Sequence, residues 1–177
     1  MKKFILPLTL AALALSANFS LAGPPDFVES IGLRGGWDAE SDVDLTEVSL
    51  FVLSPELKSW RIGAKGALGL SVEGQVGHLS GEGDSAAFFT LGPRITYSRE
   101  DWPIRFSLAS GPAYYTGDEF DGYDLGDNFE FVSSIGFDLA LDERWSVGYR
   151  FQHTSNGGFG DENPGLDMHL LEAGYRF

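Results

Sequence analysis

Period-two alternation, repeated in one segment after another, constrains this chain more than any other feature. "LGLSVEGQV" sets Leu68, Leu70, Val72 and Val76 against Ser71, Glu73 and Gln75; farther on, Phe129, Phe131, Ile135, Phe137 and Leu139 stand against Glu130, Ser134 and Asp138. Successive side chains of an extended strand point to opposite faces, so each segment reads as a strand with one apolar and one polar or charged face. Similar segments run from Phe27 to Trp37, Ala87 to Ser98, Ile104 to Leu108, Trp145 to Asn156 and Asp167 to Phe177. Between Val43 and Ser54 large apolar residues fall on both faces, which leaves that strand's facing open; "ELKSWRIGAKG" after it reads either as a connector or as a strand extension. About eight strands bounded by Gly, Asp, Asn and Pro clusters make the chain all-β.

The N-terminus reads differently. Lys2 and Lys3, an apolar run from Phe4 to Leu15, and small residues at Ser20 and Ala22 form a secretory signal over residues 1–22, with cleavage expected after Ala22. Residues 23–177 would then be one exported domain. After the signal no segment approaches the ~18 consecutive apolar residues of a membrane-spanning helix. With Lys2 and Lys3 removed from the 12 basic residues, 10 remain against 26 acidic ones, a formal charge near −16 that argues against a nucleic-acid partner. The absence of cysteine excludes disulfides and thiolate metal sites.

A soluble β-sandwich also alternates. The export signal, the aromatic residues at segment ends and the terminal "YRF" favour instead an eight-stranded antiparallel transmembrane β-barrel of the Gram-negative outer membrane, with apolar side chains toward lipid and a polar interior. Short connections, "SREDWP" and "LDER", belong on the periplasmic side, and "TGDEFDGYDLGDN" and "GGFGDENPGL" are long extracellular loops. The acidic run Asp118 to Asp127 reads most simply as a solvated loop. The Trp145–Asn156 strand therefore runs outward and the Asp167–Phe177 strand returns.

On the outgoing strand Trp145, Val147, Tyr149 and Phe151 share the apolar face, and His153 and Ser155 continue it. If the hairpin is symmetric about Asp161, Ser155 faces Asp167, His153 faces His169, and Trp145 faces Phe177. Arg150 then meets Glu172 inside the barrel. Two residues apart on a strand, His153 and Ser155 have Cα atoms roughly 6.6 Å apart, and Asp167 lies on the diagonal from His153 at ~7 to 8 Å. Serine as nucleophile, histidine as general base and a carboxylate to orient the imidazole make a catalytic trio. Asn156, with the backbone around Gly157 and Gly158, is the candidate oxyanion site. Glu172 is the rival acid but faces inward toward Arg150; Asp161 and Glu162 would serve only if the loop folds back. His153, His169 and Asp167 could alternatively gather round a metal, although no ligand-spacing template supports it, and no metal or cofactor is assigned. Polar residues at a strand's outer end often simply meet headgroups, and Phe151 and Phe159 read as membrane anchors.

The stretches "FQHTSNGG" and "NPGLDMHLLEAGYRF" resemble the PagL family of lipid A 3-O-deacylases, most strongly over Tyr149 to Phe177. The family's His-x-Ser-Asn motif matches His153, Ser155 and Asn156. The resemblance implies an eight-stranded outer-membrane barrel that hydrolyses the ester-linked 3-hydroxyacyl chain at position 3 of lipid A without a metal. It implies an oxyanion role for Asn156, and Asn163 occupies a matching loop position. Family members carry a glutamate as third member of the triad, and Asp167 occupies that position here. The expected function is thus an outer-membrane serine esterase acting on lipopolysaccharide in the outer leaflet. A non-catalytic small barrel and an outer-membrane phospholipase are the alternatives, and nothing in the sequence indicates a homo-oligomer.

Overall fold

A computed structural model describes residues 25–39, 44–81, 83–120, 123–159 and 164–177. The expected signal segment, and Asp161, Glu162 and Asn163, lie outside them. The strands are β1 (Ser30–Asp38), β2 (Thr46–Leu53), β3 (Lys58–Ile62), β4 (Gly66–Ser80), β5 (Ser85–Arg99), β6 (Ile104–Tyr115), β7 (Glu119–Phe120), β8 (Tyr123–Asp124), β9 (Phe129–Ala140), β10 (Trp145–Ser155) and β11 (Leu166–Arg176).

All but β7 and β8 form one antiparallel sheet, ordered β2-β1-β11-β10-β9-β6-β5-β4-β3, and pairing of β2 with β4 closes it. Closure leaves no unpaired edge, which is the condition for a sheet to stand in hydrocarbon. β2 and β3 both lie on β4, β2 ending at Leu53↔Glu73 and β3 beginning at Lys58↔Leu70. They are two halves of one barrel strand, so the barrel has eight. "ELKSWRIGAKG" is therefore a strand extension. Ser54, at the break, hydrogen-bonds β4 through both backbone and side chain: its N–H donates to Val72 O, and its Oγ accepts from Val72 N, each at 2.9 Å. Pro55, which lacks an N–H, and Glu56 bulge out between these anchors.

The two faces are inverted relative to a soluble protein. Arg34, Arg94, Arg150, Glu73, Asp138 and Glu172 are buried inside, whereas Leu108, Ile135 and Leu171 are each more than half exposed outside. Aromatic side chains stand at both strand ends, with Trp60, Trp102 and Trp145 toward the short turns and Trp37, Phe89 and Phe129 toward the long loops. This is the pattern of interfacial girdles on a membrane barrel. On β2 the open facing resolves with Glu47, Ser49 and Phe51 inward. Phe51 is tolerated there because the Arg34 guanidinium stacks on its ring, 4.4 Å from the centroid.

The interior charges compensate one another. Arg34 bonds both oxygens of Glu73, each at 2.9 Å, and Glu172 Oε2 at 2.8 Å. Arg94 joins Glu73 to Asp138 with two 2.7 Å contacts, and Arg150 reaches Glu172 Oε2 at 3.1 Å. Three guanidinium groups thus meet three carboxylates across the barrel. Above them, toward the long loops, the interior also holds an apolar cluster: Leu79, Phe88, Tyr115, Met168 and Leu170 pack with Phe120 and Leu125.

Removing one partner from such a network leaves the other charge buried without compensation. Arg34→Ala, which strips Glu73 and Glu172 together, is expected to destabilise the barrel by about 3 to 5 kcal/mol. Urea unfolding of the detergent-solubilised protein measures this, and a shift below about 1 kcal/mol would show the network to be energetically idle.

Candidate active site

The long-loop end of the β10–β11 hairpin carries the residues of interest. β10 alternates so that Tyr149, Phe151, His153 and Ser155 share the outward face while Arg150, Gln152 and Thr154 are buried inside. The register differs from the symmetric hairpin expected from the sequence. His153 lies directly opposite Asp167, Phe151 opposite His169, Tyr149 opposite Leu171 and Trp145 opposite Tyr175. This is a slide of two residues, which leaves every side chain on its expected face because the strand period is two.

The interior contact of β11 is kept in this register. Glu172 sits opposite Arg34 on β1 and opposite Gly148 on β10, so its carboxylate reaches Arg34 directly and Arg150 on a diagonal. Glu172 is thus shared between the two guanidinium groups in this register, directly across from one and diagonal to the other. At the periplasmic end Trp145 packs edge-on against Tyr175, with ring centroids 4.9 Å apart, and Phe177 packs against Tyr175 rather than Trp145.

The consequence for the candidate trio is direct. His153 Nδ1 and Asp167 Oδ1 are 2.6 Å apart, a short contact on a partly exposed surface. A diagonal carboxylate would need the longer glutamate arm to reach the imidazole; one directly opposite needs only aspartate. Asp167 is fixed from behind by its own backbone, whose carbonyl accepts from Ala39 N–H at 2.8 Å. Ser155 is half-buried, two residues farther along the same face and opposite Phe131 of β9. Its Cα stands about 6.6 Å from that of His153, a span that an imidazole and a hydroxymethyl group can bridge.

The turn after Ser155 is tightly built. Asn156 is buried, its Oδ1 accepts from Gly158 N–H at 2.8 Å, and its backbone oxygen accepts from Phe159 N–H. Gly157 and Gly158 have φ of 67° and 81°, left-handed values that suit glycine. The Gly158 N–H is thus engaged by Asn156, which sets the turn beside Ser155. Gly165, where the chain re-enters β11, has φ of 74°, and a Cβ there would come within 3.0 Å of His153 Cε1. Glycine at 165 makes room for the imidazole.

His169 is placed away from the trio. Its Nδ1 lies 2.6 Å from Tyr149 Oη, and its ring packs between Trp37 and Phe151. Glu172 is committed to Arg34 and Arg150 inside the barrel. Among the described residues no three His, Asp or Glu side chains cluster as metal ligands do.

The acidic loop proves more structured than its composition suggested. β7 and β8 form a small hairpin whose Phe120 is buried in the apolar plug, with Leu125 beside it. Tyr123 donates its hydroxyl to Gly165 O, beside His153. Burial, and then the negative charges of Asp38 and Asp167, push the Tyr123 hydroxyl above the usual tyrosine range and keep it a donor. Phe120, Tyr123 and Leu125, apolar or aromatic points within an acidic run, were the available signal for this contact.

Fold and site together define an outer-membrane β-barrel with a histidine–carboxylate pair on its outward face. The chain belongs to the PagL family: the family model described as lipid A 3-O-deacylase (PagL) matches residues 46–176. A relative, lipid A deacylase PagL of Bordetella bronchiseptica, is 33% identical over 67 residues. That stretch spans 38% of this chain and 38% of the relative. A crystal structure of the outer-membrane enzyme PagL superposes with a TM-score of 0.71 at 22% identity, covering 84% of this chain and 99% of that one. A de novo designed transmembrane β-barrel superposes at 0.52 with 12% identity, covering 88% of this chain and 98% of the design. Both structural likenesses speak for the barrel fold.

Tyr123→Phe removes the hairpin's hydroxyl from Gly165. The expected loss is about 0.5 to 1.5 kcal/mol of loop docking, read as faster limited proteolysis within residues 116–128 while the barrel stays intact. Unchanged cleavage would mean that the apolar plug alone holds the hairpin.

Proposed function

We propose that this protein is an outer-membrane serine esterase that removes the acyl chain ester-linked at position 3 of lipid A. The observation that carries the reading is the 2.6 Å contact between His153 Nδ1 and Asp167 Oδ1, beside Ser155 on the lipid-facing side of the barrel. Membership of the PagL family supplies the substrate class.

Asp167 accepts from Nδ1–H and holds the imidazole with its other nitrogen, Nε2, unprotonated. Nε2 takes the Ser155 hydroxyl proton as Oγ attacks the ester carbonyl. The carbonyl oxygen becomes an oxyanion, for which Asn156 and the backbone at Gly157 are the proposed donors. Collapse expels the sugar hydroxyl, which takes the proton back from His153, and leaves an acyl-serine. Water, deprotonated by His153, then releases the free fatty acid and restores Ser155. Protonated imidazole beside Asp167 is stabilised at both tetrahedral stages. A site at the outer end of the barrel wall meets lipid esters near headgroup depth, where polar side chains are least costly.

Mass spectrometry of lipid A from cells expressing the protein is the test. The wild type is expected to remove one hydroxyacyl chain, and Ser155→Ala or His153→Ala to abolish that loss. Asp167→Asn, which upsets the tautomer while keeping the shape, is expected to lower kcat by up to about 10⁴-fold. Equal deacylation by Ser155→Ala would end the proposal.

A further inference from the structure

The interior ion network leaves one arginine over. Arg105 of β6 faces inward, directly across from Asp138 of β9. Asp138, however, is taken by Arg94, whose Nη2 lies 2.7 Å from its Oδ2. Glu73 is shared by Arg34 and Arg94, and Glu172 by Arg34 and Arg150. Arg105 therefore makes no ion pair with any described residue, and its buried Nε has no hydrogen-bond partner. Arg94, only 3% exposed, leaves its own Nε unpartnered in the same way, although its two other nitrogens are engaged. A guanidinium without a counter-charge inside a barrel wall is costly, and the chain keeps one there.

Both arginines line a cavity of about 190 Å³ at the short-turn end of the barrel. Its room is that of about six waters at ~30 Å³ each. The inward positions around it carry hydroxyls: Ser30 of β1, Thr96 and Ser98 of β5, and Ser146 of β10. All four residues are half-buried, and none of the four hydroxyls bonds to a described residue. The carboxylates at this end are otherwise occupied. Asp142 accepts the N–H groups of Arg144 and Trp145 at the β9–β10 turn, at 2.8 and 2.7 Å, and Glu29 holds Arg176 at 3.2 Å. Glu143, exposed on the same turn, forms no ion pair with a described residue. What the cavity has left over is a guanidinium and a set of hydroxyls, groups that can all donate.

That donor set suits a tetrahedral oxyanion. Guanidinium groups bind phosphate through paired, charge-assisted hydrogen bonds, and the described residues leave all of Arg105's side-chain donors unengaged. Four oxygens can accept at once from Arg105, from the Nε of Arg94 and from the hydroxyls around them. A halide has a single point of contact, and a carboxylate has two oxygens in one plane, which leaves the hydroxyls unanswered. The distribution of charge along the barrel agrees. Lys58, Arg61, Lys65, Arg99, Arg144 and Arg176 all stand toward the short turns, whereas the long-loop connections 38–46, 80–85, 116–128 and 156–166 contain no Lys or Arg. Anions are therefore steered to the periplasmic mouth, where they meet the cavity from water.

We infer that the periplasmic mouth of the barrel holds a phosphate-binding site, in which Arg105 pairs with the anion, Arg94 contributes its Nε–H, and the neighbouring hydroxyls complete the shell. One position past the Tyr97↔Phe106 pair, the register places Ser98 beside Arg105, so its hydroxyl is the first of these. The group bound is a phosphate, supplied either free from the periplasm or as a phospholipid headgroup reaching over the rim from the inner leaflet. Binding gives Arg105 the counter-charge that no carboxylate among the described residues provides. It also joins the anion to the Arg94, Glu73 and Asp138 contacts that cross the lumen. The site lies at the opposite end of the barrel from His153 and does not depend on the esterase reading.

Isothermal titration of the full-length protein with inorganic phosphate, in a sugar-headed detergent and at constant ionic strength against chloride, tests the site. One saturable site per chain is expected. Arg105→Gln should weaken it by about tenfold to a hundredfold, the worth of a charged hydrogen bond, and Arg105→Lys by less. Arg61→Gln, which alters an exposed pair with Glu100 outside the cavity, should leave binding unchanged. Heat-modifiable migration on gels checks that each variant is folded. Urea unfolding gives a second readout: saturating phosphate is expected to raise the wild-type midpoint and to leave that of Arg105→Gln where it is. A soluble short-chain phosphatidylglycerol separates the two sources: competition with phosphate assigns the headgroup, and undisturbed phosphate binding assigns the free anion. Heats of dilution alone, equal binding by wild type and Arg105→Gln, or an equal loss in Arg61→Gln overturns the site.

Discussion

The Glu172 carboxylate is the contact that ties β11, the strand carrying Asp167, to both of its neighbours inside the barrel. Inside the barrel it is shared by Arg34 of β1 and Arg150 of β10, two strands on either side of β11. A buried carboxylate so placed compensates both guanidinium groups, and losing it would cost several kcal/mol. The register of β11 in which it does so also decides which outward residue of β11 meets His153. Five residues from Glu172 along the same strand, Asp167 falls opposite the imidazole and within 2.6 Å of it. The interior ion network and the exterior histidine–carboxylate pair are thus carried on opposite faces of one strand.

The same logic accounts for an aspartate where the family resemblance leads one to expect glutamate. A directly opposed pair is the shortest cross-strand approach on one face, and a one-methylene arm is sufficient there. Behind Asp167, the Ala39 N–H holds its carbonyl, and Gly165 leaves space for the His153 ring. The Tyr123 hydroxyl ties the β7–β8 hairpin to Gly165, so the loop that caps the barrel's apolar plug also bears on the approach to the site.

Much of the architecture was legible in the residues. Eight strands, the inward and outward faces, the long loops at one end and the Arg150–Glu172 pair all follow from period-two alternation and connection length, which are local properties. His153, Ser155 and Asp167 were visible for a related reason: each interrupts an apolar face near a strand's outer end. The two-residue slide of the final hairpin was not visible, because cross-strand register, unlike side-chain parity, is not a local property of either strand. Tyr123 was missed within an acidic run whose composition resembles any solvated loop.

Side-chain parity, then, was determined by the sequence alone, because the strand repeat is two residues and needs no partner to express itself. Every candidate catalytic side chain kept its expected face even where its expected neighbour changed. Register was decided only by the tertiary structure, because it balances ion pairs on both sides of a strand against the loops that join them. Parity put the histidine and the carboxylate on the same surface of the barrel. The closed ring of eight strands, with Glu172 held between two arginines, brought them into contact.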